Sequence, residues 1–164
     1  MLPVELTNRW QPFDDYDTPA CALDLILPYL RKESVVWECA WGRGVLARHM
    51  QAAGLNVVGG PDINYYQRIA FGYDIMVTNP PWSDKDGFLR LAYWRQKPFA
   101  FLLPLTALEG GNRSILFRRH GIQLLVPNKR IQFLDDRRGC PWSCAWFCWK
   151  LNLPSPLTFV EAKW

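Results

Sequence analysis

The order of segments along this chain predicts an α/β sandwich built on a mainly parallel sheet. Three observations carry that reading. Strand-like and helix-like stretches alternate over the 164 residues. One strand-like run, "SVVWECAWGRG", ends in glycines just ahead of helical periodicity. A later one, "PFAFLLPL", is almost unbrokenly apolar, as a strand buried on both faces is.

Taken in order, the chain opens on an acidic stretch, "PFDDYD", followed by a short helix around Cys21 to Leu30. "SVVWECAWGRG" supplies the first strand, and "VLARHMQAAG" reads as a helix with a glycine where it stops. "LNVVGG" and "YDIMVTN" are two more short strands. "DKDGFLRLAYWRQ" is a helix, "PFAFLLPL" a strand, "SILFRRH" a helix end, "IQLLVP" a strand and "CAWFCWKL" the last strong strand. The tail "NLPSPLTFVEAKW" leaves two readings open, an added edge strand or loose attachment.

Composition bounds the function class. A hydrophobic fraction of 49% with 21% charged residues is that of a soluble globular protein. The length is that of one domain, expected to span 1–164 with no separate target-recognition domain. No apolar run is long enough to cross a bilayer, and "MLPVELTNRWQPFDDYD" lacks the pattern of a signal peptide, so a cytoplasmic location and no membrane partner are expected. The net charge of +4 permits an anionic partner without requiring one. Of five cysteines, Cys140, Cys144 and Cys148 recur every fourth residue. No fourth Cys or His accompanies them, and "CAWFCW" has the composition of a buried strand, so Cys144 and Cys148 are read as small buried hydrophobes and no metal site is expected.

"VVWECAWGRGVLARHM" places strand, acid, glycine-rich turn and helix in succession. Gly42 and Gly44 suit a turn whose backbone approaches a ligand, and the following helix offers free amides. Glu38 ends that strand, and Asp62 stands roughly twenty residues past the glycines, after the second strand, where an acid accepts hydrogen bonds from ribose hydroxyls. The ligand expected from this pattern is a ribonucleoside.

"VTNPPW" then sets an amide, two prolines and a large ring after a strand. Pro80 and Pro81 lack backbone donors and fix φ, so the chain leaves the sheet in one extended direction. Asn79 and Trp82 are thereby aimed.

These segments resemble class I S-adenosylmethionine-dependent methyltransferases of the amino-methylating type, in particular the small adenine-specific DNA methyltransferases common among phages and prophages. The likeness runs through "DYDTPACALDLIL", "WECAWGRGVLARHM", "VVGGPDIN", "YDIMVTNPPWS", "FAFLLPLTALEGGNR" and "VPNKRIQF", to about Trp149. It implies a Rossmann-like three-layer sandwich with an antiparallel strand near the C-terminal end, and S-adenosylmethionine as cofactor. It further implies that Thr18 and Pro19 lie near the methionine end of that cofactor. Glu38, Ala40, Gly42, Gly44 and Asp62 would hold the cofactor with Asn79, and Asn79, Pro80, Pro81 and Trp82 would form the catalytic element. The Asn79 side-chain oxygen and the Pro80 carbonyl would each accept a hydrogen of the target amine, and Trp82 would stack on the extruded base.

Two departures from that pattern stand out. Only about ten residues separate Asp62 from the strand carrying Asn79, so the usual third strand with its own acid is shortened or missing. The contact to the cofactor's adenine is thereby left unassigned, and with no room for a conventional recognition domain, sequence specificity is expected to be loose, short or supplied by another chain, as a homodimer or a partner subunit. DNA is the expected partner. Arg113, Lys129, Arg130, Arg137 and Arg138 are the candidate contacts to its phosphates. The same element also serves enzymes acting on RNA bases or on a protein glutamine amide. An inactive cofactor-binding or nucleic-acid-binding partner subunit is the reading from a different class.

Overall fold

A computed structural model describes residues 16–133 and 142–164. Arg137, Arg138 and Cys140 lie outside the described residues.

The predicted alternation is present. Helix α1 covers Ala20–Ile26 and runs into a 3-10 turn at Leu27–Tyr29, where Pro28 ends the regular helix. Strand β1 is Val35–Trp37, α2 is Val45–Ala52, β2 is Asn56–Val58 and β3 is Ile75–Thr78. Helix α3 spans Lys85–Arg95 and β4 spans Phe99–Pro104. Helix α4, Gly111–His120, begins earlier than "SILFRRH" suggests, because Gly110 at φ 123° turns the chain into it and Gly111 already belongs to the helix. Strands β5 (Gln123–Pro127), β6 (Cys144–Trp149) and β7 (Leu157–Val160) complete the described elements.

All seven strands form one sheet in the order β2-β1-β3-β4-β6-β5-β7. Strand β6 is antiparallel to both its neighbours, and every other pairing is parallel. The tail therefore supplies an edge strand, β7, beside β5.

Alternation along the strands divides the core between two faces. Val36, Val77, Ala100, Leu102 and Trp146 pack with Ala22, Leu23, Ile26, Leu46 and Met50 of α1 and α2. Trp37, Met76, Phe99, Phe101 and Phe147 pack with Phe88, Leu89, Ala92 and Tyr93 of α3, and Phe117 of α4 leans on that cluster. The result is a Rossmann-like three-layer sandwich. Cys144 and Cys148 lie buried together in the first of these clusters, the arrangement that their even spacing on a strand dictates.

Between β2 and β3 the described chain contains no strand, only turns over 59–74. Side chains hold this connection in place of a ladder. Tyr65 stacks on Phe88 at 4.2 Å between ring centres, and its hydroxyl donates to the Phe88 carbonyl at 2.9 Å. Arg95 donates to the carbonyls of Tyr65 at 2.8 Å and Gln67 at 3.1 Å while lying over the Trp37 ring. Asp74 closes the loop by accepting from the Val35 amide at 2.8 Å.

Because β1, β2, β3, β4, β5 and β7 all run one way, their carboxyl ends share one edge of the sheet. Glu38, Gly59 to Asp62, Asn79, Leu105 and Asn128 to Arg130 all leave the sheet there. No helix among the described residues is long and apolar enough to cross a membrane.

Candidate active site

At that edge, over β1 and its neighbours, lies a cavity of about 450 Å³. The volume is in the range of small-molecule sites. Of the residues predicted for the site, Thr18, Glu38, Ala40, Gly42, Asp62, Asn79 and Pro81 line it. Pro19, Gly44, Pro80 and Trp82 do not. Pro19 is the N-cap of α1, Gly44 the N-cap of α2, Pro80 is buried and Trp82 is half-buried behind Asn79.

The glycine turn has a specific geometry. Gly42 and Gly44 adopt φ 49° and 71°, a left-handed region that residues bearing Cβ avoid. A Cβ on Gly44 would lie 2.8 Å from the Trp41 indole nitrogen, so this glycine makes room for that ring. Trp41 itself lines the cavity, a residue that composition alone does not single out among nine tryptophans. Arg43 forms an ion pair with Asp17 at 2.7 Å. Tyr16, Asp17 and Thr18 thus make a strap along the cavity, tied at Asp17 to the glycine turn. At Tyr16 the strap is tied to Asn79, whose Nδ2 donates to the Tyr16 carbonyl at 3.3 Å. Neither tie follows from sequence spacing, since each joins segments far apart in the chain.

Glu38 is 2% exposed and its side chain accepts from the Thr78 hydroxyl and, at 3.0 Å, from the Ala40 amide. Burial raises its pKa from the ordinary 4.5 to about 7, and the two hydrogen bonds only partly offset the rise. Between those two values the folded chain holds one proton more than the unfolded chain. Stability therefore falls as pH rises from about 4.5 to 7 and levels off above, by a total of about 3 kcal/mol. For a chain of this size that is a melting-temperature loss of roughly 6–12 °C. Glu38→Gln should flatten this slope in thermal melts at pH 5 and pH 8; an equally steep fall in the variant would refute burial of Glu38 as its source.

On the far wall the Tyr66 hydroxyl donates to the carboxylate of Asp84, which is buried. Burial first, and the Asp84 carboxylate second, hold the Tyr66 phenol well above its usual range, so it stays protonated. A Cβ on Gly87 would come within 2.7 Å of Asp84 Oδ1, so the small residue on α3 is what admits this pair. Burial likewise pushes the Cys39 thiol up, so this cavity-lining cysteine is not a thiolate nucleophile.

Asn79 leaves β3 into the Pro80-Pro81 turn, which a 3-10 turn at Trp82–Asp84 continues into α3. The Trp82 indole N–H donates to Asn79 Oδ1 at 3.1 Å and to the Leu102 carbonyl at 3.2 Å.

The basic candidates divide. Lys129 and Arg130 are exposed at the carboxyl end of β5, on the same sheet edge as Asn79. Lys129 Nζ donates to the Trp164 carbonyl at 2.6 Å. Arg113 differs from the expectation of a phosphate contact: its side chain is 11% exposed, pairs with Asp86 of α3 and donates to the Ala107 carbonyl at 2.7 Å. It also donates to the Glu109 carbonyl. Helix α4 starts beside Asp86 and these carbonyls, so the guanidinium is spent on holding α4 to α3.

No protein-family model matches the chain, and no curated protein matches it. Among solved structures it is similar to a dimethyladenosine transferase from Plasmodium falciparum, with 11% identity and a TM-score of 0.46. The match covers 81% of this chain and 62% of that one, so this chain spans about three fifths of its length.

Proposed function

We propose that this chain transfers a methyl group from S-adenosylmethionine to the exocyclic amino group of adenine in DNA. The observation that carries the reading is the placement of Asn79 and Pro81 on the wall of a cavity that Glu38, the Gly42 turn and Asp62 also line.

The residues present fit such a cofactor. Glycines at 42 and 44 leave two positions of the turn without a Cβ, an acid follows β2 where ribose hydroxyls need an acceptor, and the cavity has nucleoside dimensions. Thr18, Glu38, Ala40, Gly42 and Asp62 would hold it. The cofactor supplies an electrophilic methyl on a sulfonium: the nitrogen–carbon bond forms as the sulfur–carbon bond breaks, the pair goes to sulfur, and a proton leaves the amine to water.

The amine of adenine is a poor nucleophile because its lone pair is delocalised into the ring. Acceptors on its hydrogens draw that nitrogen toward a tetrahedral geometry and stabilise the positive charge that develops. Asn79 Oδ1 is one such acceptor; the Pro80 carbonyl, expected as the other, belongs to a buried residue that does not line the cavity. No strong base is required, so the raised Tyr66 and Cys39 values do not obstruct the reaction. Lys129 and Arg130 on the shared edge favour a polyanionic acceptor over a protein glutamine, since a protein needs no phosphate track.

The test is incubation of the purified full chain with isotopically labelled methyl donor and, separately, DNA, RNA and protein, followed by digestion and mass measurement. Labelled N6-methyladenine from DNA is expected. Label confined to RNA bases or to glutamine would replace the acceptor, and donor binding without transfer to any of them would replace catalysis by a binding role.

A further inference from the structure

Trp82 has a second structural role available to it, carried by its nitrogen rather than its ring face. The indole nitrogen only donates and the Tyr16 carbonyl only accepts. Their contacts to Asn79, 3.1 Å on the oxygen and 3.3 Å on Nδ2, therefore fix which way the carboxamide points. The ring is packed in as well. Tyr16 lies 5.7 Å from it at a 32° tilt, and Phe133 meets it edge-on at 5.7 Å. It touches both core clusters and does not line the cavity.

We infer that Trp82 is a positioning residue, whose indole N–H orients the Asn79 carboxamide so that a lone pair of Oδ1 stays available to the acceptor amine. This rests on the methyl-transfer reading above. A carboxamide oxygen has two lone pairs, so one donor from Trp82 leaves room for one amine hydrogen. The N–H is also shared with the Leu102 carbonyl at 3.2 Å, on the neighbouring strand β4. That second acceptor keeps the indole in place when the substrate competes for Oδ1. A ring that served only as a stacking face would have no need of a donor at this point, and phenylalanine or tyrosine would fill the position equally well.

Trp82→Phe keeps an aromatic ring and removes the donor. A second variant carrying benzothienylalanine at position 82 keeps the bicyclic shape and replaces N–H by sulfur. In both, kcat should fall about tenfold, the scale of one lost hydrogen bond, while KM moves by less than about twofold. Side-chain amide signals of Asn79 in nitrogen-15 spectra should move toward those of a solvent-exposed carboxamide. Unchanged kcat in the benzothienyl variant, or a loss carried wholly by KM, would overturn the positioning role. Should the unmodified chain transfer no methyl to any acceptor, the methyl-transfer reading falls. The Asn79 signals then decide the orientation alone: a shift supports it and an unchanged spectrum refutes it.

Discussion

Asn79→Ala is expected to lower methyl transfer at least about a hundredfold, with the fold and binding of the methyl donor retained. Deleting one pre-organised group aimed at developing charge removes roughly 2.7–4 kcal/mol of transition-state stabilisation in comparable sites. On the methyl-transfer reading, the deleted group is the acceptor that faces a nitrogen becoming positive. The structural loss is smaller. Asn79 is half-buried and makes two side-chain hydrogen bonds, to Tyr16 and from Trp82. The indole keeps its alternative acceptor at Leu102, so removal of the carboxamide leaves no donor stranded on that side. A stability loss of about 1–2 kcal/mol follows, or roughly 2–8 °C in melting temperature. Donor binding by calorimetry, a thermal melt and labelled-methyl transfer separate these effects. Near-normal transfer by Asn79→Ala would remove the mechanism, whatever the acceptor.

The parts of the fold that depend on local signals were open to reading from the chain. The almost unbroken apolar run in "FAFLLP" requires a strand packed on both faces, and both it and "IMVT" are buried throughout. The glycines after β1 require a turn, and Gly42 and Gly44 have the positive φ that only glycine adopts without strain. Shortness between Asp62 and β3 signalled a shortened or missing strand, and 59–74 contains none. Contacts between distant segments were not open to reading. Nothing in "DYDT" announces that Asp17 pairs with Arg43 or that the Tyr16 carbonyl meets Asn79, since each depends on where α1 comes to rest. The same holds for Arg113. A basic residue in a glycine-rich stretch reads as a candidate phosphate contact, and only the packing of α3 on α4 brings Asp86 to it. Trp82 shows the intermediate case: its position after two prolines aims it at the site, but its hydrogen bonds to Asn79 and Leu102 depend on β4 lying beside β3.

The second large effect belongs to a glycine that the "LNVVGG" pattern marks only as the end of a strand. Gly59 adopts φ 143°, and a Cβ there would lie 2.5 Å from the Glu38 carbonyl oxygen and 2.9 Å from the Trp41 ring. The first neighbour is backbone, and it has nowhere to go, because the adjacent Glu38 amide donates to the Val58 carbonyl at 3.0 Å and β1 pairs with β2 through Trp37 and Val58. Gly59→Ala must therefore part the two strand ends, displace Trp41 or move the chain from Gly60 to Asp62. Each of these walls the cavity or leads directly to a residue that does. Strain at the unfavourable φ and overpacking each contribute about 1–3 kcal/mol, so the variant should lose roughly 2–6 kcal/mol of stability. Donor affinity should fall at least about tenfold, the scale of one lost hydrogen bond to a charged group. Gly72→Ala supplies the comparison within the same connection: a Cβ there meets nothing within 4 Å, and thermal melts should leave it close to the unmodified chain. Equal melting temperatures and equal donor affinities for the two variants would show that β1 and β2 separate freely at this edge. Asp62 would then be held by something other than the close approach of Gly59 to Glu38.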